Sequence, residues 1–481
     1  MTIDGARLFI AGRFRAAAEV EPVTEAATEE LLGHGASATP ADVDDAVTAA
    51  RSALPEWRSA PQEHRAAVMA AFAAALRSRE ETTGELISRE IGLPVMLSRK
   101  FNGIRPAMLL EYYASLQVPV EEVRPSTTGH TIVRHEAVGV VAAIAPWNVP
   151  HLLAIQKIAP ALAAGCTIVL KSSPETALDA MILAEAADAA GVPPGVLNVV
   201  AAGPAVSAYL VAHPGVDKVA FTGSTATGRA IAETCGRLMR PVTLELGGKS
   251  AAIILEDADL DATTQGMRAV SLAGNGQLCF LCTRILAPRS RYAEVVDATA
   301  ALADSLVVGN PLDPATETGP LVSARQHQRV LDYIDIGKSS DAKLVAGGSI
   351  PKDQPRGWFI SPTVFADVAN TDRIAREEIF GPVLTVIPYD SESEAIDTAN
   401  DSEFGLGGTV WSADPDRAVN VARSIVTGTI GINSYERDVG SPFGGVKGSG
   451  LGRELGPEGI AEYQRLQSIY LTDAGGTLSP C

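Results

Sequence analysis

The chain has few cysteines and no long apolar run. Among its 481 residues there are only five cysteines, at positions 166, 235, 279, 282 and 481. So few cysteines in so long a chain exclude a disulfide framework. No apolar stretch approaches the roughly 18 residues of a membrane-spanning helix, and the N-terminal residues lack a basic region followed by an apolar run. We therefore expect a location in the reducing cytoplasm and no membrane partner.

Basic residues are also scarce. Lysine and arginine number 39 against 57 aspartates and glutamates, which gives a formal net charge of −18. A surface of this charge repels nucleic acid and anionic membranes, so we expect neither as a partner. The dinucleotide fingerprint G-x-G-x-x-G is absent from the whole chain.

Apolar material is plentiful. Hydrophobic residues make up 46% of the chain and charged residues 20%, which is an ordinary globular composition. A chain of 481 residues exceeds what one core normally serves. The sequence therefore predicts two or three domains with large buried cores.

Strand-like and helical segments alternate between residues 138 and 246. Helices are predicted at 151–164, 177–190, 205–212 and 228–238, with apolar strand-like runs before, between and after them. Such alternation is typical of a Rossmann-like doubly wound parallel sheet. Ligands of these sheets bind beyond the carboxyl ends of the strands. We therefore expect the functional residues of this region in the loops that follow each strand.

The flanking regions have their own patterns. Residues 41–90 are predicted to be largely helical, and 118–137 to be strand. A second α/β region is predicted over about 250–450, with helices near 259–273, 291–306 and 322–337. Ser468 to Thr472 form a plausible final strand.

Cys279 is the main candidate for covalent chemistry. It follows Gly276-Gln277-Leu278, and a glycine beside a thiol lets a ligand approach. A lone cysteine is more often a small buried hydrophobe. Glu245 lies upstream, at the end of the fifth predicted strand and before Gly247-Gly248. A carboxylate there can activate water, so that a covalent intermediate would be hydrolysed.

Cys279 and Cys282 also form a C-x-x-C pair. A zinc site would need a second ligand pair, and the sequence shows no other C-x-x-C or close histidine pair. A redox dithiol is typical of a small thioredoxin-like domain, which this chain does not resemble. We expect no metal and a packing role for Cys282.

Two further segments have a functional and an ordinary interpretation. The side-chain amide of Asn148 can donate to an oxyanion together with the backbone N–H of Cys279, or it can cap the helix predicted from residue 151. The turn from Phe221 to Gly228 can present backbone N–H groups to a pyrophosphate, or it can be a plain strand–helix connection.

Taken together, these segments resemble the aldehyde dehydrogenase superfamily over nearly the whole chain. Each motif alone is of moderate specificity, but all of them stand in the family's order. The segments are Pro146-Trp147-Asn148, Phe221-Thr222-Gly223-Ser224, Leu244-Glu245-Leu246-Gly247-Gly248, Gly276-Gln277-Leu278-Cys279, Glu378-Ile379-Phe380-Gly381-Pro382-Val383, and Pro442-Phe443-Gly444-Gly445 with Lys447, Ser449, Gly450, Gly452, Arg453 and Glu454.

The resemblance implies a reaction and roles for its residues. Cys279 would attack the aldehyde carbon, Asn148 and the Cys279 N–H would hold the oxyanion, and Glu245 would activate water to hydrolyse the thioester. Lys157 matches a family lysine near the nucleophile. NAD or NADP would be bound by Ile144, Pro146, Trp147, Asn148, Lys171, Ser173, Glu175, Gly203, Phe221, Thr222, Gly223, Ser224, Glu245, Leu246, Gly247, Glu378 and Phe380, with Lys171 and Glu378 as the ribose-binding pair.

One segment departs from a common NAD-dependent pattern. In that pattern an acidic residue lies three positions after the lysine, whereas here Pro174 stands there and Glu175 follows. A displaced carboxylate weakens strict preference for NAD over NADP. We expect NAD, because we expect no arginine nearby to receive a 2′-phosphate.

By resemblance, a mixed set of side chains would line the substrate tunnel. Its apolar members favour a medium-sized hydrophobic or aromatic aldehyde. Arg437 can instead bind the carboxylate of a semialdehyde, although we expect it to be a solvent-facing loop residue. A CoA-acylating enzyme is a third possibility, which Glu245 argues against. The set is Val149, Leu152, Leu153, Gln156, Leu278, Phe280, Arg437 and Phe443.

The family resemblance also implies the domain arrangement and assembly. Residues 1–117 and 138–248 would form the NAD(P)-binding domain, and 249–450 the second, catalytic α/β domain. Residues 118–137 and 459–481 would form a small β oligomerisation flap and a C-terminal strand. We expect a homodimer or homotetramer, because an unpaired strand edge is a pairing surface.

Overall fold

The computed structural model describes residues 3–127 and 129–472. Its N-terminal segment contains five short strands that the sequence pattern did not predict. They are short, and several are largely exposed, so they lack the apolar alternation of a buried strand. The strands are β1 (Ile3–Gly5), β2 (Arg7–Ile10), β3 (Arg13–Ala16), β4 (Glu19–Thr24) and β5 (Leu31–Ser37).

A mainly helical segment follows, as predicted for residues 41–90. Thr39 begins it with a capping box, in which its side chain accepts from the Asp42 N–H and Asp42 accepts from the Thr39 N–H. A π-helical turn at Arg99–Ile104 precedes the last helix. The helices are α1 (Pro40–Ser59), α2 (Gln62–Arg77), α3 (Glu80–Ile91), α4 (Val95–Ser98) and α5 (Arg105–Ser115).

The strand prediction for 118–137 is confirmed for most of its length. β6 (Glu121–Ser126) pairs antiparallel with β7 (Gly129–Ala137), and Glu121 lies opposite Arg134. An ion pair of 3.0 Å between these two side chains supports the register.

The alternation predicted between 138 and 246 is confirmed. α6 ends at Gly165, which has a left-handed conformation. α9 begins at Thr225, earlier than the predicted residue 228, because the Ser224 hydroxyl caps it by accepting from the Thr227 N–H. The elements are β8 (Val140–Ile144), α6 (Pro150–Ala164), β9 (Thr167–Ser172), α7 (Asp179–Ala189), β10 (Leu197–Ala201), α8 (Pro204–Ala212), β11 (Lys218–Thr222), α9 (Thr225–Arg237) and β12 (Val242–Glu245).

A second α/β region follows, again as predicted. The helix expected near 259–273 ends at Val270, and a 3-10 turn at Gly274–Gly276 leads to Cys279. The elements are β13 (Ala251–Ile254), α10 (Leu260–Val270), β14 (Arg284–Pro288), α11 (Tyr292–Ser305), α12 (Ala324–Lys338), β15 (Lys343–Ala346), β16 (Thr363–Ala366), α13 (Arg373–Arg376), β17 (Val383–Tyr389), α14 (Glu392–Asn400), β18 (Gly408–Trp411), α15 (Pro415–Arg423) and β19 (Gly431–Ile432).

The chain then returns to the earlier sheets. β20 (Gly450–Leu451) pairs with β12, α16 (Gly456–Ala461) follows, and β21 (Gln464–Thr472) pairs with β7 over its full length. The predicted strand at 468–472 is therefore real and longer than expected. Residues 473–481 of the predicted C-terminal segment lie outside the described residues.

Three sheets organise the molecule beyond the small β1-β5-β4 sheet. An eight-stranded sheet has the order β20-β12-β11-β8-β9-β10-β2-β3, and its five central strands are parallel. A seven-stranded sheet has the order β15-β16-β17-β14-β13-β18-β19. The third is the antiparallel β21-β7-β6 sheet. This is the predicted fold class, a Rossmann-like sheet with a second α/β sheet and a small β unit.

The domain boundaries that we derived from the sequence remain a prediction. The short strand β20, at the end of the expected catalytic domain, pairs with the first sheet rather than the second. Within residues 3–127 and 129–472, no helix is long and apolar enough to cross a membrane.

Candidate active site

Cys279 lies in the loop between α10 and β14, where that loop packs against the first sheet. A Cβ placed on Gly248, just after β12, would lie 2.5 Å from the Cys279 carbonyl oxygen. The pKa of the Cys279 thiol is raised to about 12, chiefly by burial. The positive charge of Arg437 lowers this pKa in part, and the carboxyls of Glu378 and Glu245 raise it. The ligand-free site therefore holds a protonated thiol at neutral pH, and the nucleophile needs activation during the reaction.

Asn148 lies directly beside the cysteine loop. Its Nδ2 donates to the backbone carbonyl of Gln277 at 2.8 Å, and its side chain is buried. The first helical turn after it is capped at Val149 without a side-chain hydrogen bond, so the helix-capping interpretation of Asn148 is wrong. Within the described chain the Cys279 backbone N–H donates to no backbone carbonyl, and it lies close enough to the Cys279 sulfur to lower the pKa of the thiol. The second Asn148 N–H and this N–H are therefore two donors beside the thiol, as an oxyanion site requires.

Glu245 ends β12 and is almost fully buried. Neither of its carboxylate oxygens has a hydrogen-bond partner among the described residues. Burial raises the pKa of this carboxyl well above its usual value, and Glu454 raises it further, whereas Lys157, Arg453 and Arg437 lower it. A buried carboxyl with two unsatisfied oxygens fits a group that holds and deprotonates a water molecule.

Lys157 is part of a buried network beside Glu245. Its Nζ, which is fully buried on α6, donates to Glu454 Oε1 at 2.7 Å and to Thr222 Oγ1 at 2.5 Å. Its positive charge lowers the pKa of Glu245, but it is not among the groups that shift the pKa of Cys279. The structure therefore associates Lys157 with the glutamate side of the site. Glu454, which the sequence indicated only as part of a motif, is a further residue of this buried network.

Two adjoining cavities lie at the carboxyl edge of the first sheet, and the larger one reaches Cys279. One of about 470 Å³ lies between α8 and α9. It is lined by Ile144, Pro146, Trp147, Lys171, Ser173, Glu175, Phe221, Thr222, Gly223 and Ser224. The other, of about 1350 Å³, reaches Cys279 and is lined by Asn148, Leu246, Gly247, Glu378 and Phe380 with several residues of the first. Gly203 lies at the start of α8, between Ala202 and Pro204, which both line the smaller cavity.

Lys171 and Glu378 lie in different cavities. The Lys171 Nζ is 3.5 Å from the Ala202 carbonyl, and burial lowers the pKa of Lys171 to about 8. Glu378 accepts the Gly248 N–H at 3.0 Å, and burial raises the pKa of Glu378 to about 7. The two cavities share Trp147 and Gly223 in their walls, so they adjoin. A single elongated ligand that extends through both cavities can therefore contact Lys171 and Glu378.

The expectation that no arginine stands near Glu175 is wrong. Arg325, at the start of α12, has its Nη2 3.6 Å from Glu175 Oε1 and lines both cavities. Glu175 also accepts a short hydrogen bond from Ser173. Arg325 is 150 residues away from Glu175 in the sequence, so only the fold brings them together.

An aromatic pair closes the cavity near Glu378. The rings of Trp147 and Phe380 meet edge to face with centroids 5.5 Å apart. Phe380 has a φ of 62°, a conformation that a bulky side chain rarely adopts. The backbone here is strained in a way that places this ring against the ligand cavity.

The apolar residues of the predicted tunnel belong to the core cluster against which Cys279 packs. They are Val149, Leu152, Leu153, Leu278, Phe280 and Phe443. Gln156 is buried nearby on α6, and its Oε1 has no partner among the described residues. The expected solvent-facing position of Arg437 is wrong: its guanidinium lies 4.6 Å from the Phe280 ring centroid and 4.8 Å from that of Phe443.

Cys282 packs in a core cluster of the second sheet, as predicted. It is buried, and the Thr409 hydroxyl approaches its sulfur at 3.7 Å. In the part of the chain that the structure describes, no group of three His, Cys, Asp or Glu side chains is placed to hold a metal ion.

Comparisons with known proteins identify the family of this chain. Residues 14–469 match the model of the aldehyde dehydrogenase family. A geranial dehydrogenase from Castellaniella defragrans is 53% identical over 98% of this chain and 100% of its own length. A chloroplastic betaine aldehyde dehydrogenase from Amaranthus hypochondriacus is 38% identical over 97% of this chain and 96% of its own.

The fold has equally similar solved counterparts. The crystal structure of a Mycobacterium tuberculosis aldehyde dehydrogenase complexed with NAD+ has a TM-score of 0.97 and 46% identity, covering 99% of this chain and 100% of that one. Similarity of this extent in both sequence and structure indicates common descent and not only a common fold. The chain belongs to the aldehyde dehydrogenase family.

Proposed function

We propose that this chain oxidises a medium-sized hydrophobic or aromatic aldehyde to a carboxylic acid, with NAD+ as the acceptor of the electrons. The observation that carries the proposal is the position of Cys279, which packs against an apolar cluster on one side and reaches the cavities of the first sheet on the other. The relative named a geranial dehydrogenase, which is 53% identical, supports a hydrophobic aldehyde.

The residues present fit a dinucleotide. The first cavity is bounded by the N-terminal ends of α8 and α9, where backbone N–H groups favour an anion. Lys171 and Glu378 would hold the sugars, and Trp147 and Phe380 would flank the reacting end. NAD+, when bound, accepts a hydride. The NAD+ complex of the 46% identical relative supports the same cofactor here.

The chain's residues would act in two stages. In the first, the Cys279 thiol releases its proton to solvent and its sulfur attacks the aldehyde carbon. Asn148 Nδ2 and the Cys279 N–H would hold the oxyanion until the C–H hydride passes to the bound cofactor and a thioester remains. In the second, Glu245 takes a proton from a water molecule whose oxygen attacks the thioester carbon. The carboxylic acid leaves and the Cys279 thiol is restored.

Of two alternative reactions, one has an observation in its favour and the other has an observation against it. Arg437 stands among the tunnel residues and could receive the carboxylate of a semialdehyde. A CoA-acylating reaction would transfer the thioester to a thiol, and the buried, unpaired Glu245 argues against it, because hydrolysis would compete.

An aldehyde panel tests the proposal. Octanal, geranial, benzaldehyde and a semialdehyde would be assayed with NAD+ and NADP+ in parallel, with and without CoA, by the absorbance of the reduced cofactor. We expect hydrophobic aldehydes and NAD+ to give the highest kcat/KM without CoA, and the product to be the free acid. A requirement for CoA, or a preference for the semialdehyde, would replace the proposal with the corresponding alternative.

The role of the nucleophile has a direct test. We expect Cys279→Ala to abolish oxidation, because no thioester can form without the sulfur. Cys282→Ala is the matched control, since that thiol is buried in the second core away from the cavities. Substantial turnover by Cys279→Ala would show that the nucleophile lies elsewhere.

A further inference from the structure

Arg437, which has no ion-pair partner among residues 3–127 and 129–472, lies in an unusual place for a cation. Its guanidinium lies over the rings of Phe280 and Phe443, at 4.6 and 4.8 Å from their centroids. Phe280 follows Cys279 directly in the sequence, and it also stacks on Tyr435 with an interplanar angle of 12°. The positive charge is therefore fixed in the apolar wall beside the nucleophile.

A second arginine reinforces this charge. Arg105, at the start of α5, has its guanidinium over the Phe101 ring at 4.9 Å and is close enough to Arg437 for the two charges to repel each other. The acidic residues of the same loop, Glu436 and Asp438, are exposed, so water screens them. Glu378 lines the larger cavity of the first sheet. Glu245 lines neither cavity, and its pKa is raised by burial and lowered by Arg437, so this carboxyl faces the arginine as well as Cys279. With Arg105 and Arg437 against this one carboxyl, the charge beside the apolar cluster remains positive.

Arg437 also occupies the ring faces that a cationic substrate would use. Proteins bind quaternary ammonium groups by surrounding them with aromatic faces. The faces of Phe280 and Phe443 that meet Arg437 are already taken by a guanidinium. An ammonium group here would meet a like charge in place of a free aromatic surface.

We propose that Arg437 determines specificity by excluding aldehydes that carry an ammonium group, while neutral hydrophobic aldehydes are admitted. This inference rests on the proposed function, because it takes the apolar cluster around Cys279 as the path of the aldehyde. It separates this chain from its relative named a betaine aldehyde dehydrogenase, whose name denotes a cationic substrate, within a shared fold.

A pair of substrates that differ only in charge isolates the effect. The cation 4-(trimethylammonio)butanal and its neutral carbon isostere 5,5-dimethylhexanal have the same shape, so the ratio of their kcat/KM values reports the charge. Burial of a cation in an apolar tunnel disfavours it even without Arg437. The informative quantity is therefore the change in this ratio between the wild type and its variants.

We expect the wild type to prefer the neutral isostere by at least 100-fold. Removing a like charge a few ångströms away should lower the preference by roughly 10- to 100-fold in Arg437→Gln. Arg437→Lys should retain most of the preference, because it keeps the charge. Glu436→Gln is the control for the loop, because it also changes the charge by one unit, of the opposite sign, at an exposed neighbour. Since solvent screens exposed charges, this variant should shift the ratio less than 3-fold.

The outcomes separate the two proposals. A wild type that oxidises the neutral isostere but not the cation, with a ratio that falls in Arg437→Gln alone, supports the inference. Comparable oxidation of both substrates by the wild type, or an unchanged ratio in Arg437→Gln, overturns it and leaves the proposed function intact. Failure of the wild type to oxidise the neutral isostere overturns the proposed function, and the inference with it.

Discussion

At the scale of single residues, Glu245 governs the second half of the reaction. In Glu245→Gln we expect the first-turnover burst of reduced cofactor to remain and the steady-state rate to fall by roughly 10²-fold or more, as for loss of a general base. Stopped-flow absorbance separates the two phases. If the burst disappears as well, Glu245 acts before hydride transfer.

The pH dependence of deacylation follows from the same residue. The pKa of Glu245 is raised, so at low pH the carboxyl holds its proton and cannot accept one from water. The wild-type deacylation rate should therefore increase with pH through this raised pKa and level off above it. Glu245→Gln should lack this increase in a rapid-quench measurement of thioester decay. A pH-independent rate in the wild type would contradict the assignment.

The buried pair of Lys157 and Glu454 carries a stability prediction. Lys157→Met leaves the Glu454 charge buried and unpaired, which should cost about 3–5 kcal/mol of unfolding free energy. The double variant Lys157→Met with Glu454→Gln should recover part of that loss, because no lone charge remains. Arg237→Met breaks the exposed pair with Glu233 and should cost about 1 kcal/mol or less. Urea denaturation of the four proteins measures these differences.

Lys157→Met should also shift the pH dependence of the deacylation rate. Lys157 lowers the pKa of Glu245, so its loss lets that pKa rise further. The increase in deacylation rate should then occur at higher pH in Lys157→Met than in the wild type. A shift to lower pH would mean that Lys157 acts on another group.

At the scale of elements, the turn before Cys279 depends on one glycine. Gly276 has a φ of 72°, and a Cβ on it would lie 2.1 Å from the carbonyl carbon of Gly381. Gly276→Ala should therefore displace the loop that carries Cys279 away from the loop that carries Phe380. We expect a loss of about 1–3 kcal/mol in stability and a loss of most activity.

Gly236 provides the control for this glycine. It is exposed on α9, and a Cβ there would meet nothing within 4 Å. Gly236→Ala should stabilise the protein by about 0.5–1 kcal/mol, because alanine favours a helix, and should leave activity unchanged. Thermal melts and steady-state assays compare the two variants. Equal effects of both substitutions would show that the turn tolerates a side chain.

At the scale of the whole molecule, the third sheet has an unpaired edge. β21 is the outermost strand of the β21-β7-β6 sheet, and it exposes Leu466 by 64% and Tyr470 by 81%. An apolar strand edge of this kind is a surface for pairing with another chain. We expect a dimer or tetramer in light scattering, and a shift toward the monomer when Leu466 and Tyr470 are both replaced by glutamate.

A distant exposed residue controls for this prediction. Met239 is 90% exposed at the end of α9. Met239→Glu adds a charge without touching β21 and should leave the mass unchanged. A monomeric wild type would contradict the predicted assembly.

Much of the fold was predictable because its signals are local. The strands from β8 to β12 are continuous apolar runs with helices between them, and this pattern requires a parallel sheet covered on both faces. The N-terminal strands β1 to β5 escaped prediction because they are short and several are largely exposed, so they lack an apolar alternation. The pairing of β2 with β10 is also distant in the sequence.

The sequence alone determined the chemical groups of the site. Cys279, Glu245 and Asn148 were identifiable because each lies in a distinctive motif at a strand end or a glycine turn. Those motifs fix the local backbone, and the local backbone decides which side chains a ligand can reach. The roles of these residues remain proposals, and the variants above test those of Cys279 and Glu245.

Only the tertiary structure decided how charges meet around these groups. Arg437 was expected in solvent and lies between two aromatic rings, Arg325 reaches Glu175 from a distant helix, and Glu454 completes the Lys157 network. In each case at least one partner, such as Phe280 for Arg437, lies far away in the sequence, and no local pattern encodes such a distance. Coulomb interactions and burial depend on separation in space, so the electrostatics of this site, including the charge beside Cys279, arise only when the two α/β regions pack together.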